Sequence, residues 1–453
     1  MGPGYAGPPA VVGESFRFAS ELGAGDVDAA WWSGFGDPVL DGYIAEAVAN
    51  NRDLRVAAAR VEEFAARIGL TRSSAFPQIG YDGSGGRVQS SREIGAGAAG
   101  GPRVSEFFEA NLNVGWEIDL FGRIGRLTDA ASADTVAAEE ARRGLVLSVV
   151  SSVAASYVAL LSLDEQLAVS RQKLGTRRET VELFELQLEK GVISRLELEQ
   201  IRSEMERTAA TIPALEREIA LLENALSVLL GRPPGAIARG LGLDELGSPA
   251  IPSGLPSDLL LRRPDLREAE QRMIAANERV GAAVASFYPR IALTGAFGLA
   301  SDELSDFFSA SAATYSLAAG VAGPLFTAGF LENQLGVAEA VERQAVEGYR
   351  SAVLTALRES EDALVTVATA RDEAEAQSRQ VEALASYASL AKQRYDNGLV
   401  AYLSVLDAER DLFDAELQRA RLRASALASS IGVYKAFGGG WVVLAEGLGE
   451  AGG

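Results

Sequence analysis

Neither cysteine nor histidine occurs anywhere in the 453 residues. Their absence removes disulfides, thiolate nucleophiles, most zinc sites and the usual general base of neutral pH. Lysine is nearly missing too, with only Lys173, Lys190, Lys392 and Lys435. Basic residues number 42 against 62 acidic ones, a net charge of −20. That balance disfavours nucleic acid, whose phosphates require clustered Lys and Arg. No G-x-x-x-x-G-K or G-x-S-x-G string occurs, so the chain has no visible means to hydrolyse nucleotide or ester. Carboxylate or magnesium chemistry is the remaining route to an enzyme. Gly95-Ala96-Gly97-Ala98-Ala99-Gly100 matches G-x-G-x-x-G, but Pro102 follows where a phosphate-binding helix should open, so a loop between strands is the better reading. We therefore expect no enzyme, no catalytic residue, no metal and no cofactor. The start, MGPGYAGPP, has neither a basic opening nor an apolar signal core. It fits a cytosolic chain or a mature one whose signal has been removed.

Proline is distributed unevenly. None falls between Pro102 and Pro213 or after Pro324, and helices are the expected occupants of those gaps. From Arg126 to Lys190 and from Phe330 to Asn397 the chain is rich in Ala, Leu, Glu, Arg and Gln, which cost least in a helix. Some 65 residues of helix would be roughly 100 Å long at ~1.5 Å per residue, far beyond an ordinary globular helix. Asp37-Pro38 predicts a helix start, and Asn397-Gly398 a left-handed helix end.

The two halves repeat. Asp53-Leu54-Arg55 returns as Asp265-Leu266-Arg267 and Pro77-Gln78-Ile79 as Pro289-Arg290-Ile291, ten of the 27 positions in these windows being identical. Leu120-Phe121 returns as Leu325-Phe326, and the glycine turn around Gly191 returns around Gly398. Each half reads as helix, strand, strand, long helix, glycine turn, shorter helix. The predicted segments are 1–37 extended, 38–76 helix, 77–121 hairpin, 122–230 helix pair, 231–263 connector, 264–288 helix, 289–328 hairpin, 329–438 helix pair and 439–453 tail.

Phe108, Ala110, Leu112, Val114, Trp116, Ile118 and Leu120 alternate with Glu109, Asn111, Asn113, Glu117 and Asp119, a strand with one oily and one wet face. Further strands are expected near 78–88, 290–299 and 314–323. Their lengths suit a transmembrane strand, and in lipid an open sheet edge leaves N–H and C=O groups unpaired. Four strands cannot enclose a lumen, so a barrel would require several chains. Two uncharged runs, 307–331 and 144–163, are long enough for a spanning helix. The first is interrupted by Gly320, Gly323-Pro324 and Gly329, which favours a strand; the second, with five serines and Tyr157, reads as the buried face of a bundle helix.

Four strings, LLRRPDLREAE (260–270), YKAFGGGW (434–441), WEIDLFGR (116–123) and the opening GPGY with Pro8, together resemble the outer-membrane lipoprotein channels of tripartite, RND-type drug-efflux pumps, TolC-like outer membrane factors. The likeness runs the length of the chain. It implies an α+β membrane protein: a homotrimer whose three chains give four strands each to one β-barrel in the outer membrane, continued by a helical α-barrel through the periplasm. The residues 31–40, the 231–260 connector and the tail would form a belt around that tunnel. The implied function is a passive exit duct for drugs or other small molecules, gated at its periplasmic tip. Its implied partners are a periplasmic membrane-fusion adaptor, a proton-driven inner-membrane transporter and outer-membrane lipid. The family places a lipid-bearing Cys before the Gly-Pro. Met1 stands there instead, so a trimmed or engineered start is expected, and lipid anchoring belongs to the parent protein.

The resemblance also assigns roles. Leu403 would plug the aperture, with Asp407 and Arg410 binding between neighbouring helices. Gly191 and Gly398 would be the turns that meet the adaptor, and Gly122 and Gly125 the hinge where strand becomes helix. Glu197, Glu199 and Arg202 hold the first-half position with a weaker match. Without the resemblance, Asp407 and Arg410 would read as an incidental ion pair on a solvated helix. A protein-secretion duct is the alternative within the class. A soluble coiled-coil scaffold is the alternative outside it, but it would expose the alternating apolar strands to water. The cargo is not legible.

Overall fold

The computed structural model describes residues 4, 7, 16–18, 30–91, 104–249 and 262–439. The start of the chain, the 95–100 loop, the 250–261 part of the connector and the tail beyond 439 lie outside the described residues. The helices are α1 (Pro38–Asn50), α2 (Arg52–Ser73), α3 (Arg123–Glu189), α4 (Arg195–Leu229), α5 (Pro264–Ala285), α6 (Phe330–Asp396) and α7 (Tyr402–Ala436). The strands are β1 (Gln78–Gln89), β2 (Val104–Ile118), β3 (Arg290–Ser301) and β4 (Ala313–Ala322). The two long helices have 67 residues each and their shorter successors 35 each. All four begin 207 positions after their counterparts or before them: 330 − 123 = 207 and 402 − 195 = 207.

Two expectations change. The segment 38–76 is two helices rather than one, because Asn51 adopts an extended ψ of 131°. Its Oδ1 accepts from the N–H groups of Asp53 and Leu54 and starts α2, while its Nδ2 donates to the Leu229 carbonyl. Pro213 sits inside α4, within the helix pair expected over 122–230. β2 also begins four residues before the alternation at Phe108.

The chain divides into two compact units. The first, Arg60–Ala138 with Glu268–Tyr349 and the chain start, contains an antiparallel sheet in the order β1-β2-β3-β4. Register pairs Tyr81 with Leu112, Leu112 with Phe297, and Phe297 with Tyr315. Side chains alternate across a pleated strand. One face therefore carries Ile79, Tyr81, Leu112, Val114, Trp116, Leu293, Phe297, Tyr315, Leu317 and Val321. The other carries Asp82, Glu109, Asn111, Asn113 and Glu117 on β1 and β2, and almost only Ala, Gly, Ser and Thr on β3 and β4. Asp82 accepts from Asn111 at 3.4 Å and also from Asn113.

The second unit, Ala10–Ala59, Glu139–Arg267 and Arg350–Gly453, has two cores among the described residues. In one, Trp31, Phe35, Leu40 and Ile44 pack on Val150, Val153, Ala154 and Leu160 of α3 and on Leu226 and Leu230. The uncharged run 144–163 supplies this core, as its serines and lack of charge predict. Although α3 is long and apolar enough by composition to cross a membrane, most of its apolar window is buried within the protein. In the other core, Phe184 and Ile201 meet Val405, Leu406 and Ala408 near the glycine turns.

Candidate functional site

Both glycine turns are Schellman closures. Gly191 (φ 71°) donates to the Leu188 carbonyl while Val192 reaches back to Gln187 at 2.8 Å, and Gly398 (φ 72°) donates to Tyr395 while Leu399 reaches Arg394 at 2.8 Å. The left-handed residue must be glycine because a Cβ there is strained. Val192 and Leu399, which follow these glycines, are left exposed. Ser194 then opens α4 with a capping box to Glu197, so Glu197 is a capping residue. Glu199 and Arg202 pair at 3.3 Å, and Arg202 reaches Glu185 at 2.6 Å.

On α7, Leu403 is half exposed. Asp407 and Arg410 face each other one turn apart at 3.4 Å, and Arg410 also approaches Asp411 at 3.8 Å. Within one chain the pair joins successive turns of α7. Behind this surface lies a group the sequence did not announce. Arg177 is buried, donates to the Glu204 carbonyl at 3.0 Å and to the Thr208 hydroxyl, lies 3.8 Å from the Glu204 carboxylate, and stacks 5.4 Å from the centre of Phe413. Burial lowers its pKa, opposed by Glu204 and Glu409. Burial also raises the pKa of Glu409, opposed by Arg177, Lys392 and Lys173. Tyr402, buried against Phe184 and Tyr395, is raised by burial and by Glu409. Nothing in the local pattern around Arg177 separates it from the solvated arginines of α3, so no sequence signal could have found it.

In the first unit, the strand-to-helix bend after β2 falls at Gly122, with φ 77°. Gly125 is helical, inside the first turn of α3, and its N–H is capped by Asp119 Oδ2 at 2.7 Å. The two predicted hinge glycines therefore do different things: one bends the backbone, the other receives a cap. The second-half bend is at Ala328 and Gly329; 329 − 122 = 207, so Gly329 was findable by extending the repeat. Arg123 ties the bend to Glu117 at 2.9 Å, and Phe121 stacks on Tyr288 at 4.9 Å.

These features define a β-sheet with one membrane-compatible face, joined by glycine bends to helices of exceptional length. The family model for outer membrane efflux proteins matches residues 43–232 and 255–439, and the chain belongs to that family. It is 36% identical over 412 residues to the solvent efflux pump outer membrane protein SrpC of Pseudomonas putida, covering 90% of this chain and 87% of SrpC. It is 32% identical over 447 residues to the probable outer membrane lipoprotein SilC of Salmonella typhimurium, covering 98% and 95%. A crystal structure of CusC superposes with a TM-score of 0.87 at 33% identity, over 97% of this chain and all of that one. The protein is a TolC-like efflux duct of the outer membrane, a channel and not an enzyme. In a duct of this kind the apolar face of the sheet suits lipid and the Asp82 face suits a water-filled lumen.

Proposed function

We propose that three copies of this chain close one twelve-stranded barrel, and that the duct runs from the bilayer into a periplasmic helical tunnel. The observation that carries this reading is the sheet's order, β1-β2-β3-β4, which leaves β1 and β4 each with an unpaired edge. In hydrocarbon an unpaired edge costs several kcal/mol per exposed group, and edge-to-edge pairing of β4 with the next copy's β1 removes it. Apolar side chains left exposed on the helices, among them Val56 and Leu70 of α2 and Val337 of α6, support further contact with neighbouring copies.

The aperture is assigned to Leu403, Asp407 and Arg410, and docking of a periplasmic adaptor to the turns at Gly191 and Gly398, where Val192 and Leu399 offer apolar contact. A proton-driven inner-membrane transporter supplies the work, as the resemblance to RND-type efflux ducts implies. The cargo is small molecules. Particle mass in detergent together with conductance in a planar bilayer tests the assembly. A trimer that conducts is expected; a monodisperse monomer that keeps its β content and still conducts overturns it.

A further inference from the structure

The lipid face is not evenly clothed. At its centre, Gly295 stands in register between Val114 of β2 and Leu317 of β4, with Leu293 and Phe297 on either side of it along β3. Gly295 lies on the floor of an open groove of about 600 Å³, walled by Ile79, Leu112, Trp116, Leu293, Phe297 and Leu317, and a side chain at 295 would interrupt it. No charged residue lines it. Trp116, at one end, is held by its indole N–H, which donates to the Ala75 carbonyl at 2.9 Å.

We propose that this groove seats one acyl chain of a phospholipid from the periplasmic leaflet. The strand ladder ends at Ile118 paired with Ile291, and the groove begins two residues above, at Trp116 paired with Leu293. It runs to Leu112 paired with Phe297. Four residues of strand cover roughly 13 Å at ~3.3 Å each, about half of a ~30 Å hydrocarbon core. The groove thus lies in the leaflet nearest the helices, which extend into the periplasm. A flat apolar face touches a passing chain on one side, whereas a groove touches it on several, and dispersion contacts add with each wall. The occupant follows from position: the sheet's edges are β1 and β4, so a neighbouring strand pairs outside the groove, and hydrocarbon is what faces β2 and β3. The inference rests on the membrane placement of the sheet and not on the trimer or the gate.

Trp116 is the reporter. The full-length protein, and Trp116→Phe for subtraction, are placed in bilayers of phosphatidylethanolamine and phosphatidylglycerol containing a small fraction of phospholipid with a brominated chain. Quenching of Trp116 should exceed the brominated fraction by about tenfold, which corresponds to ~1.4 kcal/mol of preference. In Gly295→Leu it should fall to the bulk fraction. The only side-chain atom a Cβ at 295 meets within 4 Å is the Leu317 terminus, at 3.1 Å, on an exposed chain free to swing. Ala110→Leu, on the same face outside the groove, should leave the enrichment intact. Quenching in the unsubstituted protein that tracks the bulk fraction overturns the proposal even if Gly295→Leu does not fold. So does enrichment that survives Gly295→Leu, or pairing of two particles through this face, read as a doubled mass.

Discussion

The hydroxyl of Tyr157 donates to Asp37 Oδ2 at 2.7 Å, joining residues 120 positions apart in a fully buried pair. Asp37 also accepts from Val39 N at 2.8 Å, where it caps α1, and from Leu241 N at 3.0 Å. Tyr157 in turn accepts from Gly240 N at 2.8 Å. One carboxylate and one phenol thus bind a helix start, a long helix and the connector together. Gly240 has no room for a side chain, since a Cβ would run into the Asp37 carboxylate.

Tyr157→Phe leaves the buried Asp37 carboxylate one donor short and takes the partner of the Gly240 N–H away, and should lower unfolding stability by about 1–3 kcal/mol. Burial raises the phenol's pKa, Gly240 N–H opposes that, and Asp37 adds to the rise. A group raised in the folded state contributes its stability in full below its unfolded value, near 10.0, and loses it as pH climbs towards the folded value. Denaturant titrations should therefore show a constant gap between native protein and Tyr157→Phe up to about pH 10 and a shrinking gap above it. A gap that does not narrow in alkali removes the buried phenol from the account.

The bend glycines should respond with opposite signs. Gly122→Ala forces a Cβ into left-handed backbone and should cost ~1–2 kcal/mol per chain. Gly125→Ala places alanine in a helix where its Cβ meets only Asp119 Oδ2, at 3.5 Å, and should gain up to ~1 kcal/mol. The temperature at which the assembled particle dissociates in SDS should fall for the first and rise or hold for the second. Equal losses at both would mean that Gly125 also bends the chain in the working assembly.

Glu409 gives a second pH test. Its pKa is raised above 4.5 by burial despite Arg177, Lys392 and Lys173, so its favourable contribution is complete below pH 4.5 and is lost as pH rises through the folded value. Its ionised form is a net cost at neutral pH. Glu409→Gln should stabilise the helix bundle at pH 7 and be neutral at pH 4, read by thermal unfolding at each pH. Destabilisation at pH 7 would show that the charge facing Arg177 outweighs its burial.

At the aperture, Asp407→Ala with Arg410→Ala should raise resting conductance and admit large antibiotics, and Leu403→Ala should do so in part. An exposed pair is worth only ~0–1 kcal/mol, but three copies acting on one opening add. The matched control is Arg358→Ala with Asp362→Ala, an exposed pair one turn apart at 3.0 Å on α6. Conductance unchanged by both double variants, with the particle intact, would reduce Asp407 and Arg410 to surface charges.

Much of this protein was legible in the chain. Alternation from Phe108 to Ile118 set the two faces of β2, because the pleat has a period of two. Asp37-Pro38, Asn397-Gly398 and the repeat fixed helix starts, ends and order, because caps and left-handed glycines act through neighbours in sequence. Even Gly329 follows from Gly122 once the 207-residue offset is applied. The tertiary structure alone decided the rest: that Asp37 meets Tyr157, that Arg177 is buried over Phe413 while other arginines of α3 are not, and that Gly295 lies on the floor of a groove. Those outcomes depend on which side chains packing brings together from distant positions, and no local period or turn preference encodes that.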